Sequence, residues 1–223
     1  MNRSFMSDFF GKDKCMCKIF QLQNLEYKKI QRQFAGSDNL KCMIRAMLSL
    51  ERLWQPFLYS TSHIESDVQK KVREYMDGVW ERIFADRVNG DKEKYYRQLI
   101  EDVGEKLCEA EDNGKLTKCR YEGYLYDALV SGFGWFFMPD KSKMIGIVLA
   151  TDDLISDQIV DEYIAQGGGQ EEGDYYMNHP YRKAEFERIE KDRVISELYP
   201  ESKRVIIKLR ERYQNMWIIS KEE

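Results

Sequence analysis

The stretch "IESDVQKKVREYMDGVWERIF", residues 64–84, sets the tightest limit on what this chain can fold into. Ile64, Val68, Val72, Tyr75, Met76, Val79, Trp80, Ile83 and Phe84 recur three or four residues apart, with charged side chains between them. That is the period of a helix with one buried face, whereas a half-buried strand would alternate every second residue. Such a helix needs partners, and the chain supplies them in succession. Upstream, "NLKCMIRAMLSLERLWQPFLYS" places Leu40, Met43, Ile44, Met47, Leu48, Leu50, Leu53 and Trp54 on a broad apolar surface, with Pro56 placed to bend or end the helix. This breadth predicts an element central to the core.

Downstream, Asn89-Gly90 signals a turn, and "DKEKYYRQLIEDVGEKLCEAED" resumes the period through Tyr95, Tyr96, Leu99, Ile100, Val103 and Leu107 until Asn113-Gly114. "RYEGYLYDALVSGFGWFFMP" carries Tyr121, Leu125, Ala128 and Leu129 and ends apolar at Trp135 to Met138, with a new start at Asp140. "KSKMIGIVLA" reads as a helix that continues into "DDLISDQIVDEYIAQ" after a break near Thr151. "GGGQEEGDYYMNHP" has three consecutive glycines and no period, which predicts a flexible loop over 167–180. Two further helices, separated near Pro200, follow it. The expected fold is all-α: a single-domain bundle of about seven to nine helices over 37–223. Residues 1–36 form an N-terminal extension in which "CMCKIF" has strand-like content and "LQNLEYKKIQRQF" looks helical.

With 33% charged residues and no apolar run approaching the roughly 20 residues of a membrane span, the chain is expected to be soluble. Its N-terminus lacks a signal-peptide pattern, and its five cysteines are odd in number and scattered, so cytoplasm and reduced thiols are expected. A net charge of -4 argues against nucleic acid as the main partner. Motifs for chemistry fail on inspection. Cys15-x-Cys17 has the wrong spacing for a zinc knuckle, and His63 and His179 sit at helix boundaries with no paired nucleophile. "EAEDNGK" would place Arg120 where a calcium loop needs glutamate, and neither Gly114-Lys115 nor Gly132-x-Gly134 completes a phosphate loop. No catalytic residue, metal or cofactor is expected, and the chain is not read as an enzyme.

Two blocks resemble a known family. "SLERLWQPFLYSTSHIESDVQKKVREYMDGVWERI" is similar to the early helices of the YjaG-like family of uncharacterised bacterial proteins, with a Leu-x-Glu-Arg segment, a following Pro and aromatic, and a helix ending in Trp-Glu. "NHPYRKAEFERIEKDRVISELYPESKRVIIKLRER" resembles that family's closing segment, with Asn-x-Pro, an acidic helix and an Ile-x-x-Leu-Arg pattern. The likeness spans roughly residues 40–215; the triple-glycine loop and residues 1–36 have no counterpart. It implies an all-helical fold and a bacterial origin, and relatives of such families occur among toxin-immunity proteins. It transfers no catalytic residue.

Between Lys143 and Arg182 the chain has no basic side chain, although Lys and Arg make up 35 of its 223 residues. In a helix over 152–165, Asp153, Asp157 and Asp161 form one line, with like-charge pairs costing about 0.2–0.5 kcal/mol each and Asp152 and Asp153 eased by a helix N-terminus. Two sources of compensating charge remain open. The basic segment "KRVIIKLRER", with Lys203, Arg204, Lys208, Arg210 and Arg212, could pack beside the line or leave it solvated. Alternatively a basic protein partner, such as a toxin domain, could meet Asp153, Asp157, Asp161 and Glu162 together with Glu171, Glu172, Asp174, Tyr175 and Tyr176. The expected role is an immunity protein acting by stoichiometric binding; the alternatives are a structural or regulatory helical protein and, less favoured, a small-molecule enzyme.

Overall fold

The computed structural model describes residues 16–85, 92–116, 121–132, 140–167 and 172–219. These residues form ten helices and no strand: α1 (Met16–Gly36), α2 (Asn39–Arg52), α3 (Trp54–Ser60), α4 (Ser66–Ala85), α5 (Lys92–Asp112), α6 (Glu122–Gly132), α7 (Lys141–Ala165), α8 (Glu172–Asn178), α9 (Pro180–Glu197) and α10 (Lys203–Gln214). The all-α, single-domain architecture is therefore the observed one. Two helices of only seven residues, α3 and α8, take the count past nine.

The most buried element is α2. Asp38 caps it by accepting from the Lys41 N–H at 2.9 Å, and every residue from Cys42 to Arg52 is buried. It packs against α4, α7, α9 and α10. Pro56 ends it indirectly: a proline ring collides with the carbonyl four residues earlier, here that of Arg52, so the chain breaks at Leu53 and restarts as α3 with Pro56 in its first turn. The period in α4 buries Val68, Val72, Tyr75, Met76, Val79, Trp80 and Ile83, with Ile64 and Phe84 packed at the margin. Gly78 admits α5 at close range; a Cβ there would lie 1.9 Å from the Tyr96 hydroxyl oxygen.

Three expectations are corrected. The break near Thr151 does not occur, because α7 runs unbroken for 25 residues and Thr151 is interior to it. Asp152 and Asp153 consequently sit in mid-helix, without relief from a helix N-terminus. The segment 167–180 is not loop throughout: α8 occupies Glu172–Asn178, and His179 caps α9 with Pro180 in its first turn. The division at residue 36 separates nothing either, since α1 is a helix packed against α7 and α8 with Ile30 and Phe34 in the common core. Trp135 to Met138, Asn89-Gly90, Cys15 and Cys119 lie outside the described residues. Cys42 and Cys108 are free thiols.

Phe34 tests the membership of α1. Phe34→Ala should cost about 3–5 kcal/mol in urea unfolding, as for other deeply buried aromatics; an unchanged midpoint would mean that α1 folds apart from the core.

Candidate functional site

Helix α2 ends on two adjacent charged residues, Glu51 and Arg52, both with fully buried side chains. Each serves a different side of α2. Glu51 accepts from Nη1 and Nη2 of Arg73 at 2.8 Å each, from the Trp80 indole N–H at 2.6 Å and from Arg210 Nε at 3.1 Å, tying α4 and α10 to α2. Asp77 accepts from Arg73 and Arg210 as well, closing the group.

Arg52 points the other way. Its Nε donates to Glu185 at 2.9 Å, its Nη1 to Asp192 and its Nη2 to Ser49 at 2.9 Å, while its guanidinium lies 4.9 Å from the Tyr213 ring centre. Thr151 of α7 donates to Glu185 at 2.8 Å, Arg188 adds a contact at 3.1 Å, and the Tyr213 hydroxyl donates to Asp192 at 2.9 Å. Burial opposes the charge on Arg52, but Glu185 and Asp192 more than restore it, so its pKa lies above the ordinary arginine value. These carboxylates are engaged with guanidinium groups, an arrangement that fixes helices, and burial raises Asp192 against the attraction of Arg52.

The acidic line on α7 lies outside this network. Successive residues on a helix turn by 100°, so Asp152 points inward while its neighbour reaches the surface. Asp152 is 2% exposed, near Arg182, Glu26 and Glu185, and burial lifts its carboxyl to about 7 despite the attraction of Arg182. Arg182, the first cation after the gap, is itself buried, 4.6 Å from the Tyr176 and Phe186 ring centres and 3.5 Å from Glu26.

Asp153, Asp157 and Asp161 are exposed along the outer face. Water reaches Asp153, yet protein crowds its carboxylate; desolvation first and the charge of Asp157 second raise it to about 6. Partial burial raises Asp157 too, against the hydrogen bond that the Tyr124 hydroxyl of α6 donates to it. Among the described residues no cation pairs with Asp153 or Asp157. Two cations of the basic segment, one of the open sources of internal charge, are engaged elsewhere: Arg210 meets Glu51 and Asp77, and Lys203 donates to the Phe84 carbonyl at 3.2 Å.

The remaining expected contact residues diverge. Glu162 turns aside to His179, 3.0 Å from its Nε2. Tyr175 joins a half-buried row of rings, 5.4 Å from Tyr163 and 5.6 Å from His179, which in turn lies 5.0 Å from Tyr181. Asp174 is exposed on α8. Glu171 lies outside the described residues, and only the backbone placement of Glu172 is described. Tyr176 is a correction: it is 0% exposed, with its hydroxyl 2.9 Å from Ser156 Oγ, so it is a packing residue and cannot meet a partner at the surface.

Sequence reasoning missed Glu51, Arg52, Arg182, Glu185 and Asp192. A signal existed for the first two. A segment apolar around its whole circumference leaves no solvated side, so a charge within it must be buried and paired.

Among the described residues no group of three or more His, Cys, Asp or Glu side chains is placed to hold a metal ion, and no described helix is long and apolar enough to cross a membrane. Comparison with protein-family models, curated proteins and solved structures gave no match.

Two measurements probe these charges. Arg52→Ala should cost about 3–5 kcal/mol in chemical unfolding because it strands Glu185 and Asp192; a loss below about 1 kcal/mol would show that the group reorganises freely. The second follows from Asp152 and Asp153, whose folded pKa values lie above the ordinary 3.8. The folded state binds their protons more tightly than the unfolded chain does, so their contribution is complete below about pH 4 and lost as pH rises through about 6 to 7. Thermal midpoints of wild type should fall across that window, and Asp152→Asn should flatten the slope; parallel profiles for the two proteins would refute the assignment.

Proposed function

We propose that this chain acts by stoichiometric protein binding, with the outer face of α7 meeting a basic partner. The supporting observation is the line of Asp153, Asp157 and Asp161: exposed carboxylates one turn apart, with no described cation in contact with the first two and their protonation favoured by crowding. A cationic partner relieves the repulsion between Asp153 and Asp157 and favours their charged form. Opposed fields also speed encounter and discriminate against acidic proteins. The row of rings at Tyr163, Tyr175 and Tyr181 lies beyond the same end of α7 and offers the aromatic area that interface anchors use.

The resemblance to the YjaG-like family adds a role. On this reading the protein is a bacterial immunity protein that occludes a basic toxin, such as a nuclease, in the cytoplasm, with no catalytic step of its own.

The test compares wild type with the Asp153→Lys/Asp157→Lys/Asp161→Lys variant, after circular dichroism shows both folded. A basic protein captured from the native bacterium should bind purified wild type at one-to-one stoichiometry by calorimetry and lose the variant. Co-expression with wild type alone should restore growth of cells producing that protein. Equal binding by both proteins would remove α7 as the recognition face, and growth inhibition unrelieved by wild type would remove the immunity role.

A further inference from the structure

Helix α1 rests on the bundle through a thin apolar seam and two polar junctions that do not close. From Gln21 onward its fully buried apolar side chains are Ile30 and Phe34, and Leu25 is 62% exposed, whereas α2 buries every residue from Cys42 to Arg52. The first junction is at Arg45 of α2, a buried cation. Its Nη2 donates to Gln33 Oε1 of α1 at 2.8 Å, and its guanidinium lies 4.3 Å from the Phe34 ring centre. Its Nε and Nη1 have no hydrogen-bond partner among the described residues, and burial pulls its pKa down to about 10. The second junction is at Arg182 of α9, whose Nη2 lies 3.5 Å from Glu26 Oε1 of α1. There Arg182 Nε, Glu26 Oε2 and Asp152 Oδ1 are likewise enclosed without a partner among the described residues.

Enclosed polar atoms without partners oppose the packing that encloses them, and departure of α1 returns these to water. The balance of charge adds to this. Glu185 is already engaged by Arg52, Thr151 and Arg188, so among the described residues Arg182 stands against two further carboxylates, Glu26 and Asp152. Asp153 of α7 and the Tyr176 hydroxyl of α8 also lie within electrostatic reach of Asp152, and neither supplies positive charge. With both carboxylates ionised the junction holds excess negative charge away from water; with Asp152 protonated it is balanced.

We propose that α1 is a releasable strap, which lifts off α7, α8 and α9 as a unit when Asp152 gives up its proton, while the rest of the bundle stays folded. This goes beyond the acidic outer face of α7 and holds whether or not that face meets a partner. The sign follows from burial. The seated state keeps the Asp152 proton up to about pH 7, whereas a hydrated carboxyl releases it near the ordinary 3.8. Seating is therefore tightest in acid, weakens as pH rises to about 7 and changes no further above it. Release uncovers Arg45, Arg182 and the apolar seat of Ile30 and Phe34, groups that the seated helix hides.

The test is hydrogen–deuterium exchange of the full chain from about pH 5 to about pH 8, read as protection factors so that the intrinsic pH dependence of exchange is removed. Residues 21–36 of α1 should lose protection by up to about tenfold per pH unit below about pH 7 and level off above it, the slope of a single linked proton. The helices α2 and α4 should remain at least about tenfold more protected than α1 throughout. Asp152→Asn should flatten the α1 profile. Glu26→Gln, at a side chain 21% exposed, removes a charge that opposes ionisation of Asp152, so it should move the levelling point to lower pH and serves as the test should Asp152→Asn not fold. Exchange of α1 in step with α2 and α4 overturns the strap, and so does an α1 without protection at every pH. An unchanged slope in folded Asp152→Asn, or a levelling point that stays in place in Glu26→Gln, overturns the link to Asp152.

Discussion

One dipeptide, Glu51-Arg52 at the end of α2, ties four other helices of this bundle together. Two opposite charges on adjacent residues of a buried helix project to different sides, and each must find its counter-charge inside the protein. Glu51 finds Arg73 and Arg210; Arg52 finds Glu185 and Asp192. In satisfying one pair the chain fixes α4 and α10, and in satisfying the other it fixes α9 and, through Thr151, α7. Apolar packing alone tolerates sliding and rotation of helices at modest cost, but a buried ion stripped of its partner does not. Displacing any one of these helices would strand a buried charge from its partner, which is costly.

The same network explains the two faces of α7. Its inner face is held by Thr151 on Glu185, by Ser156 on Tyr176 and by the nearness of Asp152 to Arg182. With the helix so constrained, the outer carboxylates cannot rotate away from one another or toward a basic helix. Arg210 is committed to Glu51 and Asp77 elsewhere in the fold, which leaves the repulsion between Asp153 and Asp157 in place. An unfavourable charge arrangement maintained by a rigid interior is the kind of surface that a second molecule can improve. Adjacent Asp152 and Asp153 show how sharply environment acts: one is raised by burial among Arg182, Glu185 and Glu26, the other by crowding at the surface and its neighbour Asp157.

Much of the fold is legible from local rules. The three-to-four-residue recurrence of Val68, Val72, Tyr75, Met76, Val79, Trp80 and Ile83 identifies α4 and its buried side residue by residue, since helix geometry alone decides which side chains share a face. Pro56 and Asn113-Gly114 mark helix ends for equally local reasons, a ring clash in one case and the positive φ of Gly114 in the other. Where local signals competed with long-range ones they misled. Thr151-Asp152-Asp153 has the composition of a helix start, yet α7 continues through it because Thr151 finds its acceptor on α9 and Asp152 is sheltered near Arg182. The glycine-rich segment hid α8, whose Tyr176 is secured by Ser156 of another helix.

What the sequence by itself determined is therefore the class of structure: a helical bundle with α2 at its centre and an acidic line on α7, because periodicity, breadth of apolar surface and spacing of carboxylates are properties of short segments. Only the tertiary structure decided where the charges go. Glu51 and Arg52 became the internal clamp, Arg210 of α10 was drawn to Glu51 and Asp77, Tyr176 entered the core, and Asp153 and Asp157 were left facing solvent. The physical reason is that electrostatic pairing depends on distance and burial between segments far apart in the chain, and no local pattern carries that information.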